Sequence, residues 1–214
     1  MNYRPLGSSG ILVSELGFGT WGIGGATEGA SSYGQTDDRE SIRALETAFD
    51  QGINFFDTAT AYGRSEELLG QTFSGSKRDK VVIATKVGIT QHFGPQDFSE
   101  QAITRTLVNS LKRLRTNYID LLQLYNPPLM SMPLDDILEI LSRLRDGGLI
   151  RAYGASLKSP LRKITPASLT TTSRSTSNSS SKVFWLLLFC QRSGFLKYSF
   201  LNVSKWEPWR TKSP

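Results

Sequence analysis

Five short apolar runs constrain this chain more than any other feature. They fall at residues 16–19, 53–57, 81–86, 119–124 and 150–156, and a segment of helical period separates each from the next. In 98–115, Ile103, Leu107, Leu111 and Leu114 form one apolar stripe. Before the second run, Asp37 or Asp38 caps a helix whose face is Ile42, Leu45, Ala48 and Phe49, with Gly52 as its stop. Residues 65–73 predict a short helix with acids in its first turn, and 134–145 a helix closed by Gly147 and Gly148. Near-continuous apolar strands alternating with helices require a parallel sheet covered on both faces, either an open doubly wound sheet or a barrel. A hairpin is predicted over 3–14, with Gly-Ser-Ser-Gly at its turn. After the first strand comes a long Gly-, Ser- and Thr-rich loop, the kind that usually carries function.

Composition removes several function classes. Among 214 residues there is one cysteine, Cys190, and one histidine, His92. An internal disulfide framework and a multi-His metal site are therefore excluded, and no metal site is expected. No apolar signal sequence opens the chain, and its longest apolar run, 183–190, is far short of the ~20 residues of a membrane helix. A cytoplasmic location is the expectation. The net charge of +6 is unevenly placed. Residues 1–158 carry 16 basic against 18 acidic side chains, whereas 159–214 carry nine basic and one acidic, Glu207. The chain therefore divides into a 1–158 domain and a 159–214 tail.

Polar residues interrupt the pattern at the C-terminal ends of strands. Asp57 ends Ile-Asn-Phe-Phe-Asp, Lys86 ends Val-Val-Ile-Ala-Thr-Lys, and Tyr125 ends Leu-Leu-Gln-Leu-Tyr; Tyr62 lies in the loop after Asp57. In a (β/α)8 barrel all these ends meet at one mouth, where active sites are built. Taken singly, Asp57 reads as a turn cap, Tyr62 as a packed aromatic and Lys86 as a snorkelling cation. Together they supply an acid, a cation and an anion.

Several segments resemble the aldo-keto reductase family: Leu-Gly-Phe-Gly-Thr-Trp (16–21), Asn-Phe-Phe-Asp-Thr-Ala-Thr-Ala-Tyr-Gly (54–63), Ser-Glu-Glu-Leu-Leu-Gly (65–70), Ala-Thr-Lys (84–86), Tyr-Ile-Asp-Leu-Leu-Gln-Leu-Tyr-Asn-Pro (118–127) and Ile-Arg-Ala-Tyr-Gly-Ala-Ser (150–156). The resemblance covers residues 1–158 and implies a TIM barrel of aldo-keto reductase type, about five of its eight βα units present. It also implies NADPH at the mouth and reduction of a small aldehyde or ketone to an alcohol. In that scheme Tyr62 is the general acid, Lys86 lowers its pKa from near ~10, and Asp57 aims Lys86. Tyr125 stands where the family usually has a histidine that orients the carbonyl. Cofactor contacts carry over onto Gly19, Thr20, Trp21, Asp57 and Ser156, and substrate contacts onto Trp21, Tyr62, Tyr125 and Asn126. Leu157 stands where an Asn usually holds the nicotinamide amide. Gly17 to Gly22 also satisfies G-x-G-x-x-G, but no helix opens at the third glycine, so a Rossmann site is rejected.

The tail differs from all of this. Eleven of the 14 residues in 168–181 are Ser or Thr, a run that buries little, and no further strand–helix pair has barrel periodicity. Its scattered Lys and Arg form no amphipathic stripe, so neither nucleic acid nor membrane is expected as a partner. Without a signal peptide, Asn178-Ser-Ser and Asn202-Val-Ser carry no weight as glycosylation sites. A disordered or frame-shifted segment is the plain reading. Family groups that bind the adenosine phosphate, stack on the nicotinamide and hold its amide cannot be placed, which predicts weakened NADPH binding. Five strands cannot close, so open edges and an exposed interior face are expected, inviting aggregation or a partner. The alternative to an enzyme is a non-catalytic fragment or a half-barrel completed by a partner.

Overall fold

The computed structural model describes residues 1–25, 34–91, 94–129 and 131–157, together with the backbone of residues 185–190 and 197–202. His92, part of the long loop, the Ser/Thr-rich run and Asn178 lie outside the described residues. A hairpin of β1 (Tyr3–Pro5) and β2 (Leu12–Ser14) precedes β3 (Gly17–Gly19), α1 (Asp38–Asp50), β4 (Phe55–Asp57), α2 (Ser65–Phe73), β5 (Val82–Val87), α3 (Glu100–Arg113), β6 (Ile119–Tyr125), α4 (Leu134–Asp146) and β7 (Ile150–Leu157). Strands β3 to β7 lie side by side in chain order, all parallel, as right-handed βα units require.

Two further strands, β8 (Trp185–Cys190) and β9 (Lys197–Asn202), extend the sheet beyond the fifth parallel strand, where sequence reasoning saw only a tail. Strand β8 runs parallel to β7, with Gly154 opposite Trp185, and β9 returns antiparallel to β8. The most apolar run of the chain thus finds the one free edge that β7 offers. Among the described residues the sheet ends at β3 and β9 without closing, so the barrel is incomplete.

Strand alternation sorts the side chains between two cores. Phe56, Ile83, Leu122, Leu124, Tyr153 and Ala155 face the helices and pack with Leu45, Leu68, Leu69, Phe73, Ile103, Leu107 and Leu141. Phe56 and Phe73 meet with ring centroids 4.6 Å apart. The opposite set, Phe55, Val82, Ala84, Leu121 and Ala152, forms the inner face. It is not bare as expected: Leu6, Ile11 and Val13 of the hairpin pack on it and bury it at the base. Truncating any one of these large side chains to Ala costs about 2–5 kcal/mol.

Local chemistry sets the boundaries. Asp37 caps α1 by accepting from the Glu40 amide at 2.9 Å, and Gly52 takes φ +89° to leave it. The side chain of Ser99 accepts from the Ala102 amide, so α3 opens at Glu100 rather than 98. Strand β4 starts two residues later than the apolar run. The Ile53 amide closes the end of α1 on Ala48, and the Asn54 side chain is bound to Ser14 and Leu12 of the hairpin.

Candidate active site at the barrel mouth

Period-two alternation places Asp57, Lys86, Tyr125 and Ser156 on the inner face, above the apolar plug. Asp57 and Lys86 are fully buried, and Lys86 Nζ donates to Asp57 Oδ1 at 2.6 Å and to the Thr58 carbonyl at 2.9 Å. Lys86 therefore does not snorkel into solvent. A buried pair of this kind contributes little net stability but defines a fixed charge geometry.

Tyr62 reaches the pair from the loop between β4 and α2. Thr58 and Ser65 tie the ends of that loop together through their hydroxyls at 2.8 Å. Gly24 sits beneath it, where an added Cβ would lie 1.8 Å from the Tyr62 carbonyl oxygen, so only glycine permits the approach. Lys86 Nζ lies 4.8 Å from the centre of the Tyr62 ring and 5.7 Å from that of Tyr125. The two rings stand edge to face, centroids 6.3 Å apart, and their hydroxyls hydrogen bond. Trp21 packs against Tyr62 at 6.3 Å. These three aromatics, with Ala59, Ala61 and Ile89, wall the site.

The resemblance gave Lys86 the task of lowering the Tyr62 pKa, yet that pKa is pushed well above the usual 10, first by burial and second by the Asp57 charge. The hydrogen bond from Tyr125 works in the lowering direction and is outweighed. Tyr125 is raised as well, chiefly by burial and then by Tyr62, with Lys86 acting the other way. The closed apolar wall penalises a phenolate, and the Asp57 carboxylate adds its repulsion. Both phenols stay protonated.

The remaining predicted residues divide by role. Gly19 lies opposite Asp57 in the β3–β4 register. Thr20 is fully buried and donates both its amide and its hydroxyl to the Asp57 carbonyl, at 2.9 and 3.0 Å, so it clamps the strand end. Ser156 is paired with Tyr125 across β6 and β7, and its carbonyl accepts from the Asn126 amide at 2.8 Å. Asn126 takes φ +47°, a turn that carries the chain off β6 at the rim. Leu157 faces the helix-side core and offers a ligand nothing.

Sequence reasoning missed three supports. Gln123 donates Nε2 to Asp57 Oδ2 at 3.0 Å; two residues before Tyr125, a polar residue in an apolar strand was the available signal. Glu66, nearly fully buried, accepts from Thr85 at 2.6 Å and from Arg113 at 2.7 Å. It thereby joins the helix after the Tyr62 loop to the residue beside Lys86. Asp120, at the other end of β6, holds Arg78 and Arg151. A groove of about 660 Å³ lies at that end, lined by Gly75, Arg78, Lys112, Arg115 and Tyr118, far from the titratable cluster. The described residues contain no group of three His, Cys, Asp or Glu suited to a metal. No helix among them is long and apolar enough to cross a membrane.

Comparison with known proteins shows the family. The sequence profile of the Aldo/keto reductase family matches residues 15–196, past the compositional break at Lys158. Aldo-keto reductase YhdN of Bacillus subtilis is 41% identical over 164 residues, covering 73% of this chain and 47% of its own length. The NADH-specific methylglyoxal reductase of Escherichia coli is 33% identical over 172 residues, covering 73% and 52%. The structure of aldo-keto reductase AKR11C1 from Bacillus halodurans, in its holo form, superposes with a TM-score of 0.63 at 35% identity, covering 73% of this chain and 50% of that one. The chain spans about half the length of the curated relatives it matches. The chain belongs to the aldo/keto reductase family.

Proposed function

We propose that the mouth of this barrel serves the NADPH-dependent reduction of small aldehydes and ketones to alcohols. The observation that carries the reading is a buried Tyr62 whose ring stands 4.8 Å from the ammonium of the Asp57–Lys86 pair. The donor set fits the nicotinamide end of the cofactor. An aromatic wall of Trp21, Tyr62 and Tyr125 stands beside Ser156 and Asn126 at the strand ends. When bound, the cofactor supplies a hydride to the carbonyl carbon.

The chain's own residues do the rest. As negative charge develops on the carbonyl oxygen, the Tyr62 hydroxyl donates its proton there, acting as general acid. A hydroxyl held protonated by burial keeps that proton until a base appears within reach. The phenolate left behind is met by the hydrogen bond from Tyr125 and by the Lys86 ammonium over the ring. Asp57 neutralises that ammonium and keeps it aimed. Trp21 and Tyr125, each packed against Tyr62, form the substrate side with Asn126 at the rim, and a mouth walled by aromatics in this way suits small carbonyl compounds. The name of the E. coli relative, a methylglyoxal reductase, supports that class, and its NADH specificity sets the competing cofactor.

A second reading, a non-catalytic half-barrel completed by a partner, is favoured by the sheet that does not close among the described residues. One assay separates the two. Purified full chain is incubated with methylglyoxal and either NADPH or NADH, and nicotinamide absorbance is followed for the parent and for Tyr62→Phe. Oxidation with NADPH that falls by ~10²–10⁴-fold in the variant supports the reductase. Absence of oxidation with both cofactors, or oxidation indifferent to Tyr62→Phe, overturns it.

A further inference from the structure

Asp57 has two carboxylate oxygens, and the two are held by different residues. Oδ1 receives Lys86 Nζ at 2.6 Å and Oδ2 receives Gln123 Nε2 at 3.0 Å. Gln123 lies directly across the β5–β6 register from Lys86, with Gly154 on its other side. The residue is fully buried on the inner face. Only Nε2 can donate to a carboxylate, so the amide orientation is dictated by Asp57. Oε1 is thereby turned away and has no hydrogen-bond partner among the described residues. A leucine or methionine would fill the same space and spare the unpaired Oε1, but it would leave the buried Asp57 Oδ2 without this donor. The amide is thus committed to Asp57 at the expense of its own oxygen.

We propose that Gln123 is a positioning residue that fixes the carboxylate plane of Asp57 and, through it, the place of Lys86 under the Tyr62 ring. The torsion that turns a carboxylate is broad and two-fold, so a single anchor does not set it. With both oxygens held, the plane is set, and with it the direction in which Oδ1 receives Lys86. Because Nζ sits 4.8 Å from the Tyr62 ring centre, rotation of Asp57 moves the charge that faces the phenolate. As a statement about catalysis this rests on the reductase reading; as a statement about what holds Asp57 it does not.

The test has two arms on the full chain. In the first, steady-state reduction is compared for the parent and Gln123→Met, which conserves volume and removes the donor to Asp57 Oδ2 together with the unpaired oxygen. The expected result is a kcat lowered by ~10–100-fold with KM unchanged, since displacing a catalytic group by about 1 Å costs up to 10²-fold. The melting temperature of the variant should fall only slightly, because the lost donor to Asp57 Oδ2 is partly offset by removal of the unpaired Oε1. A merely structural role does not lower kcat, read well below the transition, at unchanged KM. In the second arm, glutamine side-chain amides are labelled with nitrogen-15 and their solvent exchange is followed by NMR. One amide, absent in Gln123→Met, should exchange at least ~10-fold more slowly than those of surface glutamines and shift in Asp57→Asn. Should Asp57→Asn fail to fold, exchange protection alone decides this arm.

An unprotected Gln123 amide overturns the proposal, as does an unchanged kcat in an active Gln123→Met enzyme. If the parent shows no Tyr62-dependent reduction, the reductase reading fails by itself, and the exchange arm still decides whether Gln123 holds Asp57.

Discussion

The two ends of this half-barrel each bury an aspartate with a cation, and they treat it differently. At the base, Asp120 accepts from Arg78 at 2.7 Å, from Arg151 at 2.6 Å and from the Ile83 amide at 3.0 Å. Arg78 also donates to Thr116 and to the Val81 and Tyr118 carbonyls, and it stacks on the Tyr118 ring at 4.0 Å. At the mouth, Asp57 has a side-chain donor on each carboxylate oxygen, but the glutamine that supplies one leaves its own oxygen unpaired. Two phenols beside it are held protonated by burial. A fully satisfied polar cluster rigidifies an architecture, whereas an unpaired buried polar atom carries a cost. Among the described residues the cluster at the base is fully paired and the one at the mouth is not, although each sets a buried aspartate against a buried cation.

That contrast breaks most readily at the base. Asp120→Ala leaves the Arg78 guanidinium buried without its carboxylate, and urea unfolding should show a loss of about 3–5 kcal/mol. Any rate per folded molecule should be unchanged; a rate that falls with stability would erase the distinction. Gly24→Ala lies on the boundary between the two kinds of residue. Its Cβ must displace the Tyr62 backbone, so about 1–3 kcal/mol of stability should be lost. Here the rate should fall as well, which combined unfolding and steady-state measurements on one preparation would detect.

At the mouth, the sign of the pH dependence follows from the raised phenol pKa values. The folded chain keeps both protons where the unfolded chain loses them. Their contribution is therefore fully present below about pH 10 and is lost progressively as pH rises above it. Urea midpoints measured across that range should fall less steeply in Tyr62→Phe than in the parent. Tyr125→Phe should cost only about 0.5–1.5 kcal/mol, the worth of one hydrogen bond. Because the Tyr125 hydroxyl holds the Tyr62 pKa down, the same variant should move the alkaline limit of reduction to higher pH. The smallest effect belongs to the surface: breaking the Arg143–Glu100 pair, both partners more than half exposed, should change stability by no more than about 0.5 kcal/mol.

Most of the architecture was legible because its signals are local. Helix α2 spans Ser65–Phe73, as its first-turn acids and apolar spacing predict, and α1 opens at the Asp37 cap. Asp57, Tyr62, Lys86 and Tyr125 could be found because each breaks an apolar pattern at a strand end, and in a parallel barrel such ends converge. Gln123 and Asp120 break the pattern of β6 too, but they sit inside the strand, where position does not advertise a partner. Strand β8 was missed because an isolated apolar run carries no helix before it to mark a unit.

By itself the sequence determined the order of strands and helices, the inner and outer faces, and the chemical types gathered at the mouth. These depend on periods of two and 3.6 residues and on caps, which act over a few positions. Only the tertiary structure decided that Lys86 is fully buried with Asp57 rather than reaching solvent, that burial raises the Tyr62 pKa, and that Gln123 is held to Asp57 with its oxygen unpaired among the described residues. Those outcomes depend on which atoms meet across strands dozens of residues apart and on how completely water is shut out around them. Neither distance nor desolvation is written in the spacing of residues along a chain.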